Sequence, residues 1–129
     1  MFDILAVTEY PFIIKMKEYL FSYGTLQNDK VQLEIFGRLL TGAKDILRGY
    51  KIASIEIKDE AFLPKGEQNI QLTLVNTVNE TNSVEGVVFE ISENELLSAD
   101  TYEPKEYKRI KVKLESGQKA WAYTAADVA

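Results

Sequence analysis

The stretch EYLFSYGTLQND, residues 18–29, joins a run of aromatic and aliphatic residues to a polar turn. Tyr19 to Tyr23 has the composition of a β-strand, which the glycine at position 24 ends. Asn28 or Asp29 can cap a short helix with apolar residues between positions 31 and 36, and Gly37 can end it. The stretch therefore predicts a strand, a tight turn and a helix in direct succession. Most isolated turns of this kind only end a strand, so the rest of the chain decides what this one means.

The same kinds of pattern predict the other strands of the fold. They are expected at residues 43–47, 50–57, 70–78, 83–91, 107–114 and 118–125. The strands at 70–78 and 83–91 are expected to pair as a hairpin around Asn79–Asn82. Gly49 and Ser116-Gly117 mark turns, and residues 61–69 are predicted to form a loop.

A second helix is predicted after the fourth of these strands. Ser92 and Glu95 have the spacing of a capping box, and Leu96, Leu97 and Ala99 would face inward. The chain thus combines many strands with two or three short helices and lacks an alternating strand–helix–strand rhythm. This pattern indicates an α+β fold whose sheet is curled into a barrel.

The length of 129 residues is that of one domain. Residues 16–129 are expected to form it, because Met16 directly precedes KEYLFSYGTL, and residues 1–15 would be an N-terminal extension. An extra edge strand is the alternative for that segment. Acidic residues and a proline interrupt the opening apolar run, which argues against a signal peptide. No run reaches the roughly 18 apolar residues of a membrane span, so we expect a cytoplasmic protein.

Three features of the composition narrow the chemistry. The chain has no cysteine, so thiolate nucleophiles and cysteine-based zinc sites are excluded. It has no histidine, which removes the commonest base at neutral pH and most transition-metal sites. Its net charge of −5 has the wrong sign for binding a phosphate backbone. An enzyme of this composition would have to move protons with Asp, Glu, Lys or Tyr.

A candidate for that role lies in LLSADTYEPKEYKR, residues 96–109. Pro104 disfavours helical geometry for the residue before it, so the second helix should end at or before Glu103. A carboxylate just past a helix C-terminus meets the negative end of the helix dipole. Partial burial beneath Tyr102 and Tyr107 would raise its pKa further. Such a group can accept and return a proton near neutral pH.

Taken alone, this carboxylate is ambiguous. With 20 acidic residues in the chain, Glu103 could equally be a solvated loop residue or a partner of Lys105 or Arg109. The order of several short motifs is more specific: YGTL at the end of a strand, later GVVFEI, then ADTYE and YKR, and finally AWAY. Together, from about Tyr19 to Tyr123, they resemble the γ-glutamylcyclotransferase-like superfamily, in particular its avirulence-induced-gene-like and γ-glutamylamine cyclotransferase branch.

The resemblance implies a small mixed β-barrel of about five or six strands with short flanking helices and one cavity at its mouth. It implies that the YGTL turn binds the glutamyl head of a substrate and that Glu103 is the catalytic acid/base. The implied substrate-binding residues are Tyr23, Gly24, Thr25, Leu26, Tyr107 and Arg109, and Tyr123 matches a tyrosine late in the last strand. Gly24 has no Cβ, so a ligand can approach the backbone closely there.

Two positions depart from the family pattern. Ala99 stands where the family usually has leucine, which should change only the core packing. Pro104 stands where many members have glycine and stiffens the segment that carries Glu103. The second departure puts the identity of the substrate more in doubt than the fold.

The implied reaction is the cyclisation of a γ-glutamyl amide to 5-oxoproline with release of an amine. Closing a five-membered ring supplies proximity without an enzyme nucleophile. The protein must add a base, an acid and donors for the oxyanion. This chemistry needs no histidine, cysteine, metal or cofactor. The expected partner is a small γ-glutamyl compound, with no nucleic acid and no membrane involved.

Two other classes of function stay open at this point. A binding or regulatory module could keep the cavity and lack turnover, although a binder of an anionic head group would gain little from Glu103. An oligonucleotide-binding barrel could stack bases on its aromatic residues, which the acidic composition disfavours. Neither the amine part of the substrate nor the oligomeric state follows from the residues.

Overall fold

The computed structural model describes residues 17–56 and 70–125. Within these ranges the chain forms strands in two sheets, a short 3₁₀ turn and two helices. The elements in chain order are β1 Lys17–Ser22, the 3₁₀ turn Thr25–Gln27, α1 Asp29–Phe36, β2 Gly42–Arg48, β3 Tyr50–Glu56, β4 Ile70–Asn76, β5 Ser83–Ser92, α2 Glu93–Tyr102, β6 Tyr107–Lys113 and β7 Lys119–Ala125. The predicted α+β class is confirmed. No helix in these ranges is long and apolar enough to cross a membrane.

The predicted succession of strand, turn and helix at residues 18–37 is confirmed. Asn28 caps α1, because its side-chain oxygen accepts hydrogen bonds from the amides of Lys30 at 2.8 Å and Val31 at 3.2 Å. Gly37 ends the helix with a φ of 72°, a left-handed conformation that glycine adopts without a steric penalty. The sequence signals at both ends of α1 therefore act as expected.

The capping box of α2 is also present. The amide of Glu95 donates to the Ser92 hydroxyl at 3.1 Å, and the amide of Ser92 donates to the Glu95 carboxylate at 2.9 Å. Leu96 and Ala99 are buried as predicted, whereas Leu97 is 55% exposed, so the prediction that it faces inward was wrong. Leu97 follows Leu96 by one position, about 100° around the helix, and so cannot share its inward face.

The larger sheet has the strand order β2–β5–β1–β7–β6. β1 runs parallel to β7, and the other neighbours are antiparallel. Because side chains alternate across a strand, the two fully buried residues of β1 serve different faces of the sheet. Leu20 packs with residues of the turn and α2, and Phe21 packs with Leu47 and Leu74 on the other face. Both faces of β1 are therefore covered.

The second sheet pairs β3 with β4, and this pairing shows that the predicted hairpin of residues 70–78 with 83–91 was wrong. Residues 70–78 and 83–91 do not pair with each other, since β4 pairs with β3 while β5 pairs with β2 and β1. Along β2 and β3 the ladder continues from one sheet to the other, and Gly49 alone faces the whole segment 77–82. The Gly49 amide donates to the Asn82 carbonyl at 2.9 Å, and the Thr77 amide donates to the Gly49 carbonyl at 2.8 Å. The turn-like residues at 79–82 thus form a bulge in a long bent ladder.

The predicted barrel is not confirmed, because the strands described here form two separate sheets. β4 meets β7 through two buried threonines. The Thr73 hydroxyl lies 3.2 Å from the Thr124 hydroxyl, and it accepts a hydrogen bond from the amide of Ala125 at 2.7 Å. The Thr124 hydroxyl donates to the carbonyl of Leu74 at 2.9 Å. Side chains thus take the place that a backbone ladder would have in a closed barrel.

Some predictions fall outside the described residues. These are the N-terminal extension at residues 1–15, the start of the domain at Met16 and the loop at residues 61–69. The described strands lie close to the predicted ones elsewhere, and Gly117 turns β6 into β7 with a φ of 96° as expected. The assignment of strands was therefore better predicted than their pairing.

The contact between the two sheets gives the first testable prediction. Thr73→Val keeps the shape of the side chain but leaves the buried Ala125 amide without its acceptor. We expect the free energy of unfolding to fall by about 1–3 kcal/mol, measured by urea denaturation. Thr101→Val, at an exposed position of α2, is the matched control and should change stability by less than about 0.5 kcal/mol. Equal stability of both variants would show that the threonine contact does not hold β4 to β7.

Candidate active site

A cleft opens where β1, β4, β7 and the C-terminal end of α2 meet. Its walls are residues 22–26, Leu72 of β4, the segment 102–104 that follows α2, Tyr107 and Tyr123. Its volume is about 100 Å³. A single water needs about 10–15 Å³ on the same scale, so the cleft has room for a small polar head group.

Glutamine side chains fix the turn that forms one wall. The Gln27 side-chain amide donates to the Ser22 carbonyl at 2.7 Å, and the buried Gln32 side chain donates to the Leu26 carbonyl at 2.9 Å. The Gln32 side-chain oxygen in turn accepts from the amide of Leu40 at 2.8 Å. One end of the turn is therefore held from within the 3₁₀ turn by Gln27, and the other end is held by Gln32 of α1.

Gly24 faces open space. Its backbone has φ −150° and ψ −134°, and a Cβ placed there would meet no atom of the described residues within 4 Å. Its amide donates weakly to the Ser22 hydroxyl at 3.3 Å. The hydrogen bonds of the 3₁₀ turn come from the amides of Gln27 and Asn28, so they do not use the Thr25 amide. The Thr25 hydroxyl lies 3.3 Å from the Tyr102 hydroxyl on the opposite wall.

Glu103 lines the same cleft as this turn, on the segment that follows α2. It is the C-cap of α2, with an extended backbone, and its amide donates to the Ala99 carbonyl at 3.1 Å. Its carboxylate has no hydrogen-bond or ion-pair partner among residues 17–56 and 70–125. Burial raises its pKa from 4.5 to about 7, and the nearby negative charge of Asp100 adds to this shift. The expected direction of the shift is confirmed, but its main cause is desolvation.

Three tyrosines surround Glu103. The Tyr23 hydroxyl donates to the Tyr123 carbonyl at 2.6 Å, and the Tyr107 hydroxyl donates to the carbonyl of Leu72. Burial raises the pKa of each tyrosine above its ordinary value, and the charge of Glu103 contributes to all three shifts. The three hydroxyls are therefore neutral donors at physiological pH.

Asp100 lies one helical turn before Glu103 and joins α2 to β6 and β7. Arg109 donates from Nε at 2.6 Å and from Nη2 at 2.9 Å to the two oxygens of the Asp100 carboxylate. The Tyr123 hydroxyl donates to the same carboxylate at 2.6 Å. The Arg109 guanidinium also lies over the ring of Trp121, 4.4 Å from its centre. The predicted alternative that Arg109 pairs with Glu103 is thus not what the structure contains.

The structure brings most of the predicted site residues together. Tyr23, Gly24, Thr25, Leu26, Glu103 and Tyr107 all line the cleft. Arg109 does not. It lines a neighbouring depression, together with Asp100 and Trp121, that meets the cleft at Glu103, Tyr107 and Tyr123.

The sequence reasoning missed the structural roles of Asp100, Gln32 and Leu72. Asp100 is part of the ADTYE motif, and its position one helical turn before Glu103 could have indicated that the two side chains are neighbours. Gln32 gave no signal, because a glutamine in a short helix is usually exposed. Leu72 came from a strand whose partner was predicted wrongly.

Sequence comparison places these features in a family. A family model described as "Gamma-glutamyl cyclotransferase, AIG2-like" matches residues 20–129. The chain belongs to this family. The matched range contains the turn at 23–26 and Glu103. No curated protein matches the chain by sequence.

Solved structures share the fold of this γ-glutamyl cyclotransferase-like chain. One protein of Arabidopsis thaliana aligns with a TM-score of 0.62 at 21% identity, over 86% of this chain and 63% of its own length. A second protein of the same plant aligns at 0.67 and 20% identity, over 88% and 72%. A structure named γ-glutamyl cyclotransferase aligns at 0.65 and 16% identity, over 85% and 67%. The chain thus spans less than two thirds of the first of these relatives.

The raised pKa of Glu103 predicts how stability depends on pH. Ionising a carboxyl whose folded pKa lies above its unfolded pKa costs stability, so the cost is absent below about pH 4.5 and complete above about pH 7. Glu103→Gln removes this cost. We expect the variant to gain up to about 3 kcal/mol relative to wild type between pH 4 and pH 8, measured by urea denaturation at each pH. Glu34→Gln, at an exposed position of α1, should show no such gain. A pH-independent difference for Glu103→Gln would contradict the raised pKa.

Proposed function

We propose that the protein is an enzyme that cyclises a γ-glutamyl amide to 5-oxoproline and releases an amine. One observation carries the proposal: Glu103 has a pKa of about 7 and faces the same small cleft as the turn at residues 23–26. The family membership supports the reaction class. The proposed substrate is therefore a small γ-glutamyl compound. A cytoplasmic location remains a prediction from the sequence.

In this proposal the turn holds the glutamyl head of the substrate. Gly24 leaves room for the head to reach the backbone, and the amide and hydroxyl of Thr25 supply donors. The aromatic ring of Tyr23 and the side chain of Leu26 form the wall on either side. The cleft volume of about 100 Å³ suits the head group, while the released amine would extend towards the open side.

Glu103 then moves the proton. As the carboxylate it accepts a proton from the substrate's α-amine, which forms a C–N bond to the γ-carbonyl carbon. The resulting carboxylic acid gives the proton to the departing nitrogen, whose bond to the same carbon breaks. A pKa of about 7 suits both steps, because acid and base forms are both populated near neutral pH.

The tyrosines support this chemistry as neutral donors. Tyr107 and Tyr123 both line the cleft together with Glu103. Their raised pKa values keep the hydroxyl protons in place. Tyr107 is therefore assigned to the substrate site, where its hydroxyl can contact the amide portion of the substrate after exchanging its hydrogen bond with Leu72.

The activity is tested with a panel of γ-glutamyl compounds, with 5-oxoproline measured by mass spectrometry. The panel should contain γ-glutamyl alkylamines, γ-glutamyl amino acids and a γ-glutamyl side-chain amide of lysine. We expect at least one class to yield 5-oxoproline in proportion to protein concentration. Binding of these compounds without any turnover would overturn the enzyme and favour the binding module as the function.

Glu103→Gln identifies the proton carrier. The amide keeps the shape of the side chain but cannot exchange a proton, so kcat should fall by about 10²-fold or more. KM should change little, because the turn holds the head group. Glu93→Gln, an exposed position in the first turn of α2, is the control and should keep full activity. A Glu103→Gln variant with wild-type kcat would remove Glu103 from the mechanism.

Substitution of Gly24 tests the binding wall separately from folding. A side chain at this position points into open space, so Gly24→Ala and Gly24→Val should each change stability by less than about 0.5 kcal/mol. Both should weaken binding of 5-oxoproline, and valine should do so by about tenfold or more, measured by titration calorimetry. Unchanged affinity in the valine variant would show that the head group does not lie against Gly24.

A further inference from the structure

Asp100 and Arg109 line a depression next to the candidate proton carrier without lining the same cleft. Asp100 binds Arg109 through two hydrogen bonds and accepts a third from Tyr123, so its position is fixed from two strands. Arg109 is fixed further by its contact with the ring of Trp121. A carboxylate held in this way one turn before Glu103 cannot move away when Glu103 ionises.

We propose that Asp100 and Arg109 form a positioning pair: Asp100 anchors the end of α2 beside Glu103, and Arg109 offsets the negative charge that Asp100 presents to Glu103. The importance of the pair for catalysis rests on the proposed function, but its electrostatic effect does not. This role differs from the predicted one for Arg109, which was a direct contact with substrate.

The geometry explains why both members are needed. Two carboxylates one turn apart on a helix repel each other, and this repulsion favours the neutral form of one of them, here Glu103. With no cation beside Asp100, this repulsion would raise the pKa of Glu103 further. The bidentate contact with Arg109 places a positive charge against Asp100 and offsets part of this repulsion, and the remainder still raises the pKa of Glu103.

The other groups that face Glu103 do not supply a comparable charge. They come from each packed element: Tyr23 after β1, Tyr107 and Lys108 on β6, and Tyr123 on β7. The three tyrosines are neutral at physiological pH. Lys108 is exposed to solvent, which screens its charge. Asp100 is the charged group that raises the pKa of Glu103, and Arg109 is its ion-pair partner.

The test measures the titration of Glu103 in the free protein, by ¹³C NMR of the side-chain carboxyl, with the signal assigned from its loss in Glu103→Gln. Asp100→Asn should move the midpoint down by about one pH unit, because a like charge is removed. Arg109→Gln should move it up by about half a unit or more, because Asp100 is then uncompensated. Opposite shifts are expected only if the pair acts through charge.

Matched controls separate charge from packing. Lys111→Gln removes a second cation that lies over the Trp121 ring, 4.3 Å from its centre, without touching Asp100. Glu93→Gln removes an acid from the same helix, about 15 Å along its axis from Glu103. Neither should move the midpoint by more than about 0.2 units, since Glu93 lies beyond a Debye length from Glu103 and the exposed Lys111 is screened by solvent.

The double variant Asp100→Asn with Arg109→Gln keeps the test usable if one single variant folds poorly. It removes both charges together, so its midpoint should lie between those of the single variants. Midpoints that stay at the wild-type value in the variants, or that all move in the same direction, would overturn the proposal.

Enzyme kinetics then distinguish this inference from the proposed function. The acid limb of kcat/KM should follow the NMR midpoint in each variant, with KM for the substrate nearly unchanged. NMR midpoints that shift in opposite directions while no γ-glutamyl compound is turned over would support the positioning pair and overturn the cyclisation. If turnover occurs but the acid limb of kcat/KM stays at the same pH in every variant, the link between the pair and the reaction would be overturned.

Discussion

The hydroxyl of Tyr23 donates to the carbonyl of Tyr123, and this contact joins residues 100 positions apart in the chain. It lies where β1 and β7 run side by side in parallel, which places the first described strand between β5 and the last one. The turn that follows β1 is thereby brought opposite the segment that follows α2. This arrangement, with the packing of Leu20 against α2, fixes the two walls of the cleft relative to each other.

The cleft depends on a balance between desolvation and compensation. Burial favours the neutral form of Glu103 and of the tyrosines around it. Asp100 would make the site more negative, but Arg109 holds it in an ion pair. An uncompensated buried charge is costly, so the fold places its charged pair at the edge of the cleft and leaves the single titrating carboxyl inside. The chain has no histidine, and the surroundings of Glu103 bring its pKa to the range in which a histidine ordinarily titrates.

Local signals predicted those parts of the fold that depend on a few neighbouring residues. Asn28, Gly37 and the capping box at Ser92 act within one turn of helix, so their patterns were sufficient. Pairing of strands depends on partners far away in the chain, and a plausible turn at residues 79–82 led to the wrong hairpin. The site followed the same division. Motifs located Glu103 and the YGTL turn, whereas the attachment of Arg109 to Asp100 depends on how β6 packs against α2.

The parallel neighbours β1 and β7 have a consequence for how the molecule is made. The chain is synthesised from its N-terminus, so the turn after β1 emerges long before its partner strand. Contacts of such large sequence separation form slowly, because closing a long loop costs entropy before it is rewarded. The cleft is complete only when the strands at both ends of the chain have come together, so a ligand that needs all of its walls binds the folded chain. Such a ligand would shift the folding equilibrium by mass action and serve as a reporter of correct folding in the cell.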